Sequence, residues 1–441
     1  VADLLDAAPH GRETPAPDPG PSVLRDCADA EAYVASVCFK HGPPRLVGVE
    51  LEWVVHGPDP ARPVDRDQLA TALGPHAPRT LDPGSPALPL PAGSTVTVEP
   101  GGQVELASPP LPDLPGLHAA VATDADVLHR MLDTHALHAH PRAADPVRPP
   151  RRVLDVPRYR AMEQSFDRTG PYGRSAMCAT AAVQVCLDAG QGAEVARRWA
   201  ALHALGPVLL AAFANSPVLH GRRTGWKSSR YAVWRACDPV RTAPPGGADA
   251  DPAVDPAPAW AHRVLATPLL CVRSGESWPV PERLTFADWV GGALPVPPTT
   301  ADLDFHVSTL FPPVRPHGHL EVRYLDAQPG RRWALPAAVV TALLGPHAAP
   351  APDVLDPVLE ACAPARGRWI SGARHGLADR VLARAAAAVF PLAVARLEAD
   401  GAPPGVLADL VDMTERQVLR GRCPADDPGP GEPPLPPEDD R

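Results

Sequence analysis

Apolar and polar side chains alternate along several short runs of the chain, and longer stretches with helical spacing separate those runs. Over 46–55 the alternation predicts a strand with Val49, Leu51 and Trp53 on one face and Glu50 and Glu52 on the other. Residues 95–107 read as a hairpin turned by Pro100-Gly101-Gly102, with Gln103 and Glu105 opposite Val104 and Leu106. Over 179–188, Gln184, Cys186 and Asp188 oppose Val183, Val185 and Leu187. The same period predicts strands over 302–310, with His306 and Ser308 opposite Phe305 and Val307, and over 319–325, with Glu321 and Arg323 opposite Leu320, Val322 and Tyr324.

Helical spacing predicts helices over 28–39, 111–138, about 192–213, 336–344 and 375–397, with shorter helical turns within 59–80 and 159–166. Strands dispersed among long helices, some at hairpin spacing, indicate an α+β fold around a largely antiparallel sheet.

Composition narrows the classes. With 441 residues and 45% apolar content the chain can bury a sizeable core. Residues 1–22 and 421–441 are rich in Pro, Asp and Glu and are expected as flexible tails around a single domain, 23–420. A formal charge of -10 argues against a nucleic-acid partner, which needs positive charge facing phosphates. The eight cysteines show neither metal-finger spacing nor a disulfide framework. No stretch reaches the roughly 20 apolar residues of a membrane span, and the first residues lack a secretory pattern, so a cytoplasmic location is expected.

The polar faces carry Glu and Gln where an ordinary solvent face would mix in Lys, Thr and Ser. Two carboxylates ~4 Å apart repel by roughly 4 kcal/mol at an effective dielectric of about 20, so a cluster of them calls for a cation. Glutamate oxygens without Cys and with few His suit Mg²⁺ or Mn²⁺, and Mg²⁺ held by few carboxylates also binds nucleotide phosphates. The residues alone therefore imply a divalent-metal enzyme that handles phosphate.

Several blocks resemble the plant-type and actinobacterial glutamate–cysteine ligases, in family order over roughly 45–330. They are Gly48-Val49-Glu50-Leu51-Glu52, the run from Glu99 to Glu105, the run from Met177 to Asp188, Ala214-Asn215-Ser216-Pro217, and the run from Gly221 to Arg230 with Trp234, Asp238 and Arg241. Phe311-Pro312-Pro313-Val314-Arg315 and Leu320-Glu321-Val322-Arg323 complete the set. The likeness is greatest to the bacterial branch that supplies γ-glutamylcysteine for ergothioneine synthesis.

The resemblance implies a glutamine-synthetase-like core: a curved, mainly antiparallel sheet with helices on its outer face and Mg-ATP and glutamate on its concave face. It implies that ATP phosphorylates the glutamate γ-carboxylate and that the cysteine amine then displaces phosphate, so the partners are small molecules. By the same resemblance Glu50, Glu52, Glu99, Glu105 and Glu321 are candidate metal ligands. Arg323 and Arg230 are candidate catalytic groups, and Gln184, Arg241 and Lys227 are candidate nucleotide-binding groups. Many relatives have Asn where this chain has Cys186, so a polar contact from that position does not carry over. A ligase using another amine, or a non-catalytic nucleotide-binding protein on the same fold, stays open at this point.

Overall fold

The computed structural model describes residues 20–246, 250–346, 354–429 and 432. Its strands are β1 (Val47–Trp53), β2 (Val55–His56), β3 (Thr95–Val98), β4 (Val104–Ala107), β5 (His138–Ala139), β6 (Ala182–Leu187), β7 (Val218–Leu219), β8 (Arg222–Arg223), β9 (Val314–Pro316) and β10 (Leu320–Asp326). The main sheet runs β3-β4-β1-β6-β10-β9, and every neighbouring pair is antiparallel. The fold is thus α+β around an antiparallel sheet, as the pattern of alternating runs predicts.

One sheet face is apolar throughout: Val49 and Leu51, Val104 and Leu106, Val183 and Val185, and Leu320 and Val322 are all buried there. Three helices cover it, Leu114–Thr134 against β1, Ala193–Ala212 against β10 and Ala334–Leu344 against β6. Helix Ala193–Ala212 is buried almost all round, because a second layer of helices, including Trp369–His375, closes over its far side. Gly206 makes that layer possible, since a Cβ there would lie 1.9 Å from the Trp369 ring.

The turn between β3 and β4 depends on two glycines. Gly102 sits at φ +86, which favours glycine, and a Cβ on Gly101 would fall 2.2 Å from the Cys178 carbonyl oxygen. Gln103 locks this turn rather than sharing the polar face with Glu105. Its Oε1 accepts from the Gly101 amide at 2.9 Å, and its Nε2 donates to the carbonyls of Met177 and Thr180.

Three expectations change. Residues 302–307 belong to a helix, Thr300–Val307, opened by a reciprocal Thr299/Asp302 capping box, and 308–310 follow its end. Leu303, His306 and Val307 are its buried positions and Leu310, past its end, is buried too, a helical spacing that outweighs the apparent alternation, so His306 and Ser308 are not on the sheet. The expected helix over 375–397 is instead two: Trp369–His375 ends at Gly376, and Arg380–Ala399 starts from an Asp379 cap. The expected C-terminal tail begins later than 421, because Cys423, Pro424 and Ala425 are buried against the body. Residues 430, 431 and 433–441 of that tail, and 1–19 of the N-terminal one, lie outside the described residues.

Candidate active site

The opposite face of the sheet gathers the charged groups, because antiparallel register puts facing residues on the same side. Glu52 on β1 pairs with Glu105 on β4, and Glu105 pairs in turn with Thr97 on β3. Glu50 faces Gln184 on β6, and Glu321 on β10 faces both Cys186 and Arg315. Glu99 continues the polar side of β3 past its last residue. A bulge in β10 between Val322 and Leu325 sets Arg323 and Tyr324 together against β6. Arg323 then turns to the polar face while the Tyr324 hydroxyl reaches the Leu202 carbonyl beneath the sheet.

Four of the five predicted metal-ligand glutamates repel one another in this environment. Burial, then Glu99, pushes the Glu52 carboxyl up to about 7, and burial with Glu99 and Glu52 pushes Glu105 up to about 8. Burial, Glu105 and Glu321 raise Glu50 well above the usual carboxylate range, and burial raises Glu99. Thr97 Oγ1 donates to Glu105 Oε1 at 2.5 Å, which orients that carboxyl without removing its excess proton affinity. Clustered carboxyls with raised proton affinity are a donor set suited to a hard divalent cation. Among the described residues no three acidic, His or Cys side chains close into a complete metal cage.

Glu321, the fifth predicted ligand, differs from these four in being held by arginines. Arg315 Nε and Nη2 hold its two oxygens at 2.7 and 3.1 Å, and Arg323 Nη1 donates to Oε1 at 2.5 Å. Against the cost of burial, the two guanidiniums keep this carboxyl far below the usual range. Both oxygens are engaged by arginine, so Glu321 anchors the two guanidiniums on this face.

From this anchor a continuous chain of hydrogen bonds crosses the face. Arg323 Nη1 donates to Gln184 Oε1 at 2.6 Å, and Gln184 Nε2 donates to Glu52 Oε1 at 3.0 Å. The Ala182 amide holds the other Glu52 oxygen at 2.9 Å. Gln184 therefore spends both ends of its amide joining an arginine to an acidic group, instead of presenting them to a nucleotide.

Arg230 and Arg323 line a cleft beside this face, together with Tyr231, Trp234, Phe311 and Pro313. Ser228 starts the helix Ser229–Cys237 by accepting from the Tyr231 amide, and this cap carries Arg230 to the cleft. Arg230 Nη2 donates to the Arg323 carbonyl at 2.8 Å, while its Nε and the Tyr231 hydroxyl are buried without a partner among the described residues. Buried polar groups in that state are uncommon.

Two predicted nucleotide-binding groups are committed elsewhere. Arg241 is buried, with Nε on Asp238, Nη1 on the carbonyl and hydroxyl of Thr309, and Nη2 on the Pro268 carbonyl, so it fastens loops together. Lys227 Nζ pairs with Asp426 Oδ1 at 2.5 Å. Arg315 and Thr97 have direct roles on the face that residue types alone did not single out. Arg315 stands in the matched Phe311 to Arg315 block, and Thr97 alternates with Val96 and Val98, so both carried a signal.

A profile of Glutamate-cysteine ligase family 2 matches residues 46–428. The glutamate–cysteine ligase EgtA of Mycolicibacterium smegmatis is 39% identical over 415 residues, which cover 92% of each chain. EgtA of Mycobacterium tuberculosis is 40% identical over 415 residues, 92% of this chain and 90% of that one. The chloroplastic glutamate–cysteine ligase of Brassica juncea is 30% identical over 369 residues, 80% of this chain and 68% of that one. With a family profile and full-length relatives in agreement over the strands that carry the acidic and arginine groups, the chain belongs to glutamate–cysteine ligase family 2.

Proposed function

We propose that the protein joins the γ-carboxylate of L-glutamate to the amine of L-cysteine at the expense of ATP, giving γ-glutamylcysteine, ADP and phosphate, and that it does so in the cytoplasm for ergothioneine synthesis. The observation that supports this reading best is the chain Arg315–Glu321–Arg323–Gln184–Glu52, which ties a cationic group to the acidic cluster on one sheet face. Phosphoryl transfer to a carboxylate needs both signs of charge side by side.

Glu50, Glu52, Glu99 and Glu105 would hold Mg²⁺, or Mn²⁺ in its place, and the ion supplies neutralisation of nucleotide phosphate charge. Arg323, fixed by Glu321 and Gln184, presents a preoriented guanidinium to the transferring phosphoryl oxygens. Arg230, which lines the cleft, would offer its guanidinium to an anionic group of the substrate. Trp234 and Phe311, with ring centroids 5.3 Å apart, form an apolar wall that limits water at that end.

Glutamate labelled with ¹⁸O in its γ-carboxylate provides the test. If the γ-carboxylate is phosphorylated and the amine then displaces phosphate, one labelled oxygen appears in the phosphate released with each product molecule. Release of unlabelled phosphate alongside γ-glutamylcysteine would rule that route out.

A further inference from the structure

Residues 423–427 run past the expected domain end, yet they are bonded to the two segments that carry Arg230. The Ala425 amide donates to the Ala214 carbonyl at 2.9 Å. Arg142 ties 423–427 to the first of these segments: Nη1 donates to Asn215 Oδ1 at 2.5 Å and to the Pro424 carbonyl at 3.0 Å, and Nη2 donates to the Asp427 carbonyl at 2.5 Å. Asp426 acts on both sides, taking Lys227 Nζ on Oδ1 at 2.5 Å and the Cys423 amide on Oδ2 at 2.8 Å.

The gripped residues, Asn215 and Lys227, flank the pair that seats Arg230. The Ser216 amide donates to the Lys227 carbonyl at 3.0 Å, the Ser229 amide donates to the Ser216 carbonyl at 2.9 Å, and the Arg230 amide donates to Ser216 Oγ at 3.1 Å. Beneath them lies the buried Asp326 carboxylate. Its Oδ2 accepts from the Asn215 amide and Ser216 Oγ, and its Oδ1 accepts from Ser228 Oγ, each at 2.8 Å. Arg230 Nη1 stands 3.7 Å from the same Oδ1. The backbone and the guanidinium of Arg230 are thus referenced to one small polar cage, and 423–427 close its outer side.

We propose that residues 423–427 are a positioning clamp for Arg230, with Arg142 and Lys227 as its anchors. The inference rests on the reading of Arg230 as a substrate-holding arginine. It gives the Asn215-Ser216 and Lys227-Ser228 motifs a task in the reaction without direct contact with substrate. Loosening the clamp widens the positions Arg230 samples, so anionic substrate binds less well while the acidic cluster on the far side of Arg323 is undisturbed.

The test is a double-mutant cycle on the Lys227–Asp426 pair, which at 30% and 21% side-chain exposure sits near the surface. Asp426→Asn keeps an oxygen for the Cys423 amide and loses only the charge, and Lys227→Met keeps the stem. In the full chain, each single variant is expected to raise KM for glutamate about tenfold with a smaller change in kcat, and the double variant to be no worse than either. Amide exchange over 214–231 should quicken in all three variants, a readout independent of turnover. Unchanged KM and exchange would overturn the clamp. Additive losses would also overturn it, since they would place Lys227 on the substrate itself. Wild-type protein that makes no γ-glutamylcysteine would instead show that the activity was misread, and the exchange data would still decide the clamp.

Discussion

Proton competition within the acidic cluster predicts a steep pH dependence of metal binding. The Glu52 carboxyl rises from an ordinary 4.5 to about 7, and Glu105 rises to about 8. At about 1.4 kcal/mol for each tenfold change in proton affinity, ionising each group in the empty site costs roughly 3 to 5 kcal/mol more than in water. At pH 6 both carboxyls are protonated, so an incoming divalent ion must release a proton from each; at pH 8 Glu52 is ionised and Glu105 about half so, and competition from this pair is much weaker. If both groups are ligands, Mg²⁺ affinity should rise by roughly two to three orders of magnitude between pH 6 and pH 8.

The metal-free protein should move the other way. Groups whose proton affinity is raised by folding contribute stability in full below their unfolded values near 4.5, and lose it as pH climbs through about 7 and 8. Calorimetric titration with Mg²⁺ at pH 6, 7 and 8, in two buffers of different ionisation enthalpy, measures both affinity and protons released. Melting curves with and without Mg²⁺ report the stability side. Affinity independent of pH, with no proton release at pH 6, would refute the assignment of Glu52 and Glu105 as ligands.

Glu52→Gln and Glu105→Gln should each abolish turnover yet raise the melting temperature of the metal-free protein at pH 8, because they remove a repelled charge; a lower melting temperature would contradict the repulsion. Arg315→Met removes one partner of a buried ion pair, a loss worth about 3 to 5 kcal/mol. It should cut kcat/KM for ATP by about a hundredfold, with partial recovery in Arg315→Lys, as steady-state kinetics would show. Gly101→Ala drives a Cβ into the Cys178 backbone and should cost about 1 to 3 kcal/mol in urea denaturation, with activity falling as the turn bearing Glu99 shifts.

The polar face was legible in the sequence because a strand's period of two leaves no freedom: once Val49 and Leu51 go to the helices, Glu50 and Glu52 must face away. The same rule succeeded on β4, β6 and β10. It failed over 302–310, where Leu303, His306, Val307 and Leu310 form a helical stripe and Thr299 with Asp302 supplies a start signal that the alternation hid. The role of Glu321 was not legible from its own strand, because the Arg315 that claims it lies across the β9–β10 hairpin. Residue type identifies a carboxylate, whereas its partner decides between ligand and anchor. The contacts of Lys227 with Asp426 and of Arg241 with Thr309 were hidden for the same reason, those partners being distant in sequence. The C-terminal stretch misled through composition: Pro and Asp suggest a tail, but Cys423 and Ala425 are buried and Arg142 donates to the carbonyls of Pro424 and Asp427.

The most direct measurement is ADP release with ATP, Mg²⁺ and glutamate across a panel of amines. A ligase of the proposed specificity releases ADP far faster with L-cysteine than with serine, alanine, glycine or ammonia, and forms γ-glutamylcysteine in equal amount. Rates that do not distinguish cysteine from the other amines, or ADP formed without peptide product, would contradict it.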